Sequence, residues 1–285
     1  MSSLQIEKLA DALGAEVSGL DLSRSLAAGT FAEIRKAWLD HLVLRFRGQT
    51  LSDPQLMTFS KLFGELDPPG PNPYGKPFLP EHPEMNVISN IKMEGAPIGG
   101  LGDGEAIWHA DMTYVDSPPM AAILHALEVP PSGGDTWWAN MVLAYQKLPA
   151  NLKKSIEGRK AVHDATYNSA GIMRKGYQDV TDPRKAPGAQ HSLVRVHPET
   201  GRPCLFLGRR RNSYIVGMEL DQSEALLDEL WAHATLPEFT FCQQWRVGDV
   251  LIWDNRCTLH RRDAFDPSAR RLMHRTQIKA DRPYV

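Results

Sequence analysis

In the segment AIWHADMTYVDSPP, residues 106–119, His109 and Asp111 stand two positions apart, between Trp108 and Tyr114. In an extended chain, positions i and i+2 project to the same side, so an imidazole and a carboxylate can reach one point. Two chemistries are open to them. One is a structural couple in which the carboxylate accepts a hydrogen bond from the ring. The other is a pair of ligands to a divalent metal, since neutral imidazole and carboxylate both suit such ions. The pair alone does not decide, because the chain has 10 histidines and a motif this short has many chance matches.

A metal needs a third ligand. The leading candidate is His260 in LIWDNRCTLHRR, after an apolar strand and an Asp-Asn turn and followed by Arg261 and Arg262. His125, His163, His191, His197, His233 and His274 read as ordinary core or surface histidines. Two histidines and a carboxylate on one face, with the opposite positions open, is the arrangement of non-haem Fe(II) oxygenases. The same three ligands with a water would serve a zinc hydrolase. The segment RRLMHRTQI (270–278) bears on the choice. At period two, Arg271, Met273, Arg275 and Gln277 share one strand face. On a solvated edge these arginines are unremarkable. Facing the interior, they demand anionic partners, and the planar guanidinium fork suits carboxylates. Thr136 in GGDTWWANM (133–141) offers a hydroxyl to such an anion pocket. From these residues a zinc hydrolase and a non-catalytic protein that binds a small acid both remain open beside the oxygenase.

The elements that must position these groups are legible in outline. Phe31, Ile34, Trp38 and Leu42 recur at helical spacing, and LVLRF (42–46) follows as a buried strand. Ser52 with Gln55 forms a capping-box pattern with Pro54 in the first turn, Leu56, Phe59, Leu62 and Phe63 make the apolar stripe, and Gly64 is the expected stop. Residues 67–106 are rich in Pro and Gly and read as binding loops or a lid, with a strand at MNVISNI. Residues 140–185 read as helical, then irregular. LVRVH and PCLFLG flank PETGR as a hairpin, and Asp221 with Glu224 opens a helix running to about 234. FTFCQQW, DVLIWD and LMHRTQIKA read as strands. Short strands with regular turns predict an all-β core, a barrel or jelly roll, decorated by helices. Trp108, Trp253 and Phe206 are candidate pocket walls.

Composition narrows the class. The 285 residues are 42% hydrophobic and 23% charged with net charge −2, an ordinary globular balance without the basic footprint of nucleic-acid binding. Three scattered cysteines, Cys204, Cys242 and Cys257, fit a reducing cytoplasm. Neither a signal peptide nor a membrane span is expected.

Taken in order, these blocks resemble the TauD/TfdA family of Fe(II)- and 2-oxoglutarate-dependent dioxygenases. The resemblance covers nearly the whole chain, from GAEVSGLDLSRSL through LVLRFRGQTLSDPQ and FGELD to WHADMTY, PPSGGDTWWANM, VRVHPETGRP, IWDNRCTLH and RRLMHRTQI. It implies one domain over residues 1–285, with a double-stranded β-helix, or jelly roll, at its core. It implies His109, Asp111 and His260 as iron ligands, and Thr136 and Arg271 as the groups that bind the distal carboxylate of 2-oxoglutarate. Arg275 falls where the family places a second arginine near the anionic end of substrate or cosubstrate. The implied activity is hydroxylation of a small organic anion with Fe(II), 2-oxoglutarate and O2, releasing succinate and CO2. Asp111 argues against a related halogenase, which lacks this carboxylate. Homo-oligomers are usual in the family. There are departures from the taurine enzymes: DPPGPNPYG lacks their sulfonate-binding histidine, and Glu105 stands where they carry an asparagine. LFLGRRRNSY, with Arg209, Arg210 and Arg211, is nearer the aryloxyacid enzymes. A bulkier sulfonate, a sulfate ester or an aryloxyacid is therefore expected in place of taurine.

Overall fold

The computed structural model describes residues 4–69 and 77–280. Its centre is a nine-stranded sheet in which Ala121–Glu128 lies between Val250–Asp254 and Leu272–Ile278, antiparallel to both. Beyond Val250–Asp254 the sheet continues through Val43–Phe46 and Ala15–Ser18 to Gln5–Lys8. The N-terminal third is thus an extension of the main sheet. On the other side, Leu272–Ile278 pairs with Asn86–Ser89, which pairs in turn with Gly100–Leu101. A second sheet runs Thr240–Gln243, Thr136–Asn140, Thr258–Arg262, Ala106–His109. The strand order of the large sheet is open, so the core is a jelly roll of two facing sheets and not a closed barrel.

Period-two alternation divides the large sheet between two cores. Leu124, Leu251, Trp253 and Met273 face inward and meet Trp138, Phe241 and Leu259 of the smaller sheet, with the Trp138 and Trp253 rings 5.7 Å apart. Leu44, Phe46, Ile123, Val250, Ile252 and Ile278 face outward and are covered by Ile34, Trp38, Leu56, Phe59 and Phe63. Those residues come from helices Ala28–His41 and Asp53–Lys61 and the turn after the second. The rings of Phe31, Trp38, Phe59 and Phe63 pack edge to face at 5.1–5.6 Å, a favoured aromatic geometry.

Helix boundaries differ from expectation for local reasons. Leu42 leaves the first helix as a left-handed cap, its N–H donating to the Trp38 carbonyl at 2.7 Å. The second helix ends at Lys61, before Gly64. Gly64 has another duty: a Cβ there would lie 2.8 Å from Ile278 Cγ2, so the glycine admits close passage of the central sheet. The capping box forms, Gln55 Oε1 accepting from the Ser52 N–H at 2.8 Å. The PETGR hairpin also forms, Val194–Val196 pairing with Pro203–Leu205. The helix expected at Asp221 begins at Leu220 and runs to Ala234. Among the described residues no helix is long and apolar enough to cross a membrane. Of the Pro/Gly-rich region, residues 70–76, and with them most of the segment that departs from the taurine enzymes, lie outside the described residues.

Candidate metal centre and its two cavities

His109 ends the strand Ala106–His109 and is paired directly with His260 in Thr258–Arg262. The two rings therefore sit side by side, centroids 4.1 Å apart. Asp111 follows at the start of a turn, its Oδ1 3.7 Å from His109 Nε2 and 3.9 Å from His260 Nε2. All three residues are buried, and their ligand atoms lie within 4.8 Å of one another. The structure thus brings together the three residues expected as ligands. His109 Nδ1 is 2.7 Å from the Ile107 carbonyl. A proton on Nδ1 donates there and leaves the Nε2 lone pair facing Asp111, the usual means of fixing a ligand tautomer.

The turn that carries Asp111 is held by a residue the sequence reading passed over. Asn255 Oδ1 accepts from the Asp111 N–H at 2.7 Å, and Asn255 Nδ2 donates to the Asp111 and Pro119 carbonyls at 3.0 and 2.9 Å. One buried amide ties the loop bearing Asp111 to the turn leading to His260. In the sequence it shows only as the second residue of an Asp-Asn turn.

Electrostatics prepare the ligands. Burial, then the neighbouring His260, holds the His109 ring well below the ordinary imidazole range. Burial pushes His260 down to about 4, against the pull of Asp111. Burial alone would raise the Asp111 carboxyl, but Arg275 first, then the two histidines, brings it to about 2. Near neutral pH both imidazoles are unprotonated and the carboxylate is charged, the state in which all three can ligate. Arg275 Nη1 lies 3.1 and 3.2 Å from the two Asp111 oxygens, a partner not weighed in the sequence reading.

Two cavities meet at this centre. The inner one, about 50 Å³, lies between the sheets and is lined by Thr136, Trp138, Trp253, Arg262, Arg271 and Arg275 among others. Arg271 is 2% exposed, and its Nε and Nη1 have no hydrogen-bond partner among the described residues. Burial, then repulsion from Arg262, lowers it to about 9. Arg262 is occupied by the carbonyls of Leu101, Gly102 and Gly104. Thr136 Oγ1 accepts from Trp245 Nε1 at 2.9 Å, which leaves the hydroxyl proton for another acceptor. A buried guanidinium without an anion is costly, so this cavity fits a ligand carboxylate. Met273, expected on the same strand face as the arginines, is in the inner core, confirming that face as interior.

The outer cavity, about 300 Å³, shares His109 and Arg275 with the inner one and adds Asp111, Tyr114, Arg174 and Arg209. Of the arginine run, only Arg209 lines it. Its backbone bridges His109, and burial first, then Arg174, lowers its pKa to about 10. Arg210 pairs with Glu224 and Asp228, and Arg211 lies over the Tyr167 ring. Gly208, just before Arg209, is required: a Cβ there would lie 2.1 Å from His163 Nδ1. Of the expected walls, Trp253 lines the inner cavity, whereas Trp108 packs under Arg261 and Phe206 stacks on His163 and Arg195. The region 67–106 supplies much of the outer wall, among it Phe78, Asn86, Lys92 and residues 97 and 99–103. A second buried group, His197, Asp254 and Cys257, is structural: the Asp254 oxygens are taken by Arg256 and His197 at 2.6–2.9 Å.

The chain as a whole is similar to known proteins. Residues 5–277 match the family model described as taurine catabolism dioxygenase TauD, TfdA family. The chain is 34% identical over 277 residues to the alpha-ketoglutarate-dependent 2,4-dichlorophenoxyacetate dioxygenase of Cupriavidus pinatubonensis, covering 94% of each chain. It is 36% identical over 269 residues to the alpha-ketoglutarate-dependent sulfate ester dioxygenase of Pseudomonas putida, covering 90% of this chain and 83% of that one. The crystal structure of AAD-2 in complex with Mn(II) and N-oxalylglycine superposes with a TM-score of 0.81 at 31% identity, over 99% of this chain and 100% of that one.

Proposed function

The chain belongs to the TauD/TfdA family of 2-oxoglutarate-dependent dioxygenases, and on that premise we propose that it uses Fe(II) to hydroxylate a small organic anion of the sulfonate, sulfate ester or aryloxyacid class. The observation that carries this reading is the junction of a His-Asp-His cluster with an inner cavity lined by a buried guanidinium that has no anionic partner among the described residues. His109 Nε2, the Asp111 carboxylate and His260 would hold the metal, and Arg271 with Thr136 would hold the distal carboxylate of 2-oxoglutarate. When bound, metal and cosubstrate supply the oxidising chemistry, with 2-oxoglutarate and O2 converted to succinate and CO2 and the remaining oxygen atom delivered to the substrate as its hydroxyl.

The chain's own residues bind, orient and keep out water. Arg271 meets its counter-ion where few water molecules compete, so the pair is strong. Trp138, Trp253 and Leu124 wall the inner cavity with apolar surface. Arg275 fixes the Asp111 carboxylate from the side, and the Ile107 carbonyl fixes the His109 ring. A zinc hydrolase with the same triad would leave Arg271 without a purpose. The free thiols Cys204, Cys242 and Cys257 support work in a reducing cytoplasm.

The test is succinate release with Fe(II), 2-oxoglutarate and O2 across sulfonates, sulfate esters, aryloxyacids and amino acids. Stimulation by a member of the first three groups, with taurine a poor substrate, is the expected result. Efficient turnover of taurine would overturn the specificity, and absence of succinate with every compound would overturn the reaction.

A further inference from the structure

The two cavities share a partition as well as a metal centre. Leu101 lines both, with Ile88, His109 and Arg275. Gly100–Leu101 is the outermost strand of the large sheet, two residues long and paired with Ile88 and Ser89. From there the chain crosses to Ala106–His109 of the smaller sheet. Leu101 takes a φ of 72° and Gly102 one of 50°. A residue with a side chain adopts this left-handed conformation only where its surroundings hold it there. Much of that hold comes from one side chain. Arg262, at the end of Thr258–Arg262, lies opposite Ala106 and is 5% exposed. Its Nη1 donates to the Gly102 carbonyl at 3.0 Å, and its Nη2 to the Leu101 carbonyl at 3.2 Å and to the Gly104 carbonyl. The Asp103 carbonyl accepts from the Phe265 N–H at 3.3 Å. The Arg262 guanidinium thus spans the two sheets and is seated on neutral carbonyls, its Nε buried without a partner among the described residues. The same side chain lines the inner cavity, where its charge repels that of Arg271.

We infer that Arg262 is a positioning residue that holds Leu101–Gly104 as the partition between the two cavities, and that an anion in the inner cavity tightens this hold. That the inner ligand is an anion follows from the dioxygenase reading, on which this second part rests. Two like charges lining one small cavity each disfavour the placement of the other. A carboxylate on Arg271 offsets that repulsion and leaves Arg262 seated on its three carbonyls. The wall of the outer cavity is then set by what fills the inner one. Lysine in place of Arg262 would carry the charge but lack the planar fork that reaches several carbonyls of one turn. Coupling of this kind is reciprocal. Whatever factor the ligand adds to the hold on the loop, the hold adds to the affinity for the ligand.

The test is amide hydrogen exchange of the segment 99–105, read by mass spectrometry with and without Mn(II) and N-oxalylglycine. Exchange of the buried strand Ala121–Glu128 checks that each variant is folded. In wild type the ligand pair should slow exchange of the segment about fivefold or more. In Arg262→Met and Arg262→Lys, exchange without ligand should be about tenfold faster than in wild type, and the ligand pair should slow it by about twofold or less. Arg262→Lys should still bind N-oxalylglycine, its dissociation constant raised by no more than the factor by which the ligand slowed the wild-type segment. Should Arg262→Met not fold, Arg262→Lys carries the comparison. A wild-type segment whose exchange ignores the ligand overturns the inference, and so does a ligand effect that survives in Arg262→Lys. A dissociation constant raised far beyond that factor also overturns it, because Arg262 would then touch the anion itself. Failure of wild-type protein to bind Mn(II) with N-oxalylglycine would count against the dioxygenase reading. Exchange of the ligand-free variants would then judge the hold of Arg262 on the loop separately.

Discussion

At His260 the side chain is committed to one task. Its Nδ1 is buried without a partner among the described residues, so the ring contributes little to the hydrogen-bonded framework. His260→Ala should abolish succinate release while thermal stability of the metal-free protein falls by no more than the packing loss, about 1–2 kcal/mol. Retained turnover would remove His260 from the triad. Asn255 is the opposite case. It makes three buried hydrogen bonds to the backbone that carries Asp111, and truncation leaves a buried N–H and two carbonyls unpaired. Asn255→Ala should cost about 2–4 kcal/mol in denaturant unfolding and weaken Mn(II) binding about tenfold or more. The three residues that the fold clusters were legible in the sequence because a metal site is restricted to few residue types at a defined spacing. Asn255 was not, because its role is created by two loops 144 residues apart in the chain. The Arg275–Asp111 pair was missed for the same reason, and its 164-residue separation leaves no local signature.

At the scale of elements, the strands that alternate or carry β-branched runs were readable, as were the helices with apolar stripes. Ala121–Glu128 was not. Its sequence AAILHALE has the composition of a helix, yet it is the central strand of the large sheet, nearly all of it buried. Strands covered on both faces lose the period-two signal, and tertiary contacts override propensity. The Pro/Gly-rich stretch likewise hides the short hairpin of Lys92–Met93 with Ala96–Pro97, which has too few residues to show a period. The strand Val250–Asp254 is fixed at its end by a charge network. Asp254 accepts from Arg256 and from His197 Nε2, and Arg256 also pairs with Glu199 in the turn of the neighbouring hairpin. Burial would raise the Asp254 carboxyl, but Arg256 first, then His197, brings it below the usual carboxylate range. A carboxyl depressed in the folded state stabilises above its unfolded value and loses that contribution as pH falls. Stability should therefore decline from about pH 4 downward. Asp254→Asn, which leaves Arg256 and His197 with a neutral partner, should cost about 3–5 kcal/mol at pH 7. Its deficit relative to wild type should shrink as the pH is lowered through that range. A deficit independent of pH would show that the charge of Asp254 does not matter.

For the whole molecule, the two sheets enclose a positive charge, that of Arg271, with no anionic partner among the described residues. Arg271→Met should raise the melting temperature of the ligand-free protein by several degrees, about 1–3 kcal/mol. The same change should raise the KM for 2-oxoglutarate by about tenfold or more and abolish the thermal shift that Mn(II) with 2-oxoglutarate gives to wild type. A variant less stable than wild type without ligand would show that Arg271 has a partner in the fold.

That enclosed charge also bears on how long the protein should persist. A ligand that binds only the folded state adds stability in proportion to the logarithm of its concentration over its dissociation constant. The counter-charge that the ligand carboxylate would bring to Arg271 is part of what sets that dissociation constant. When the metabolite pool is full, the chain spends little time unfolded; when it is drained, the open fraction offered to proteases rises. Abundance would then follow the supply of 2-oxoglutarate without a dedicated regulatory site, and pulse-chase half-lives in cells replete with or starved of that metabolite should differ for wild type and converge for Arg271→Met.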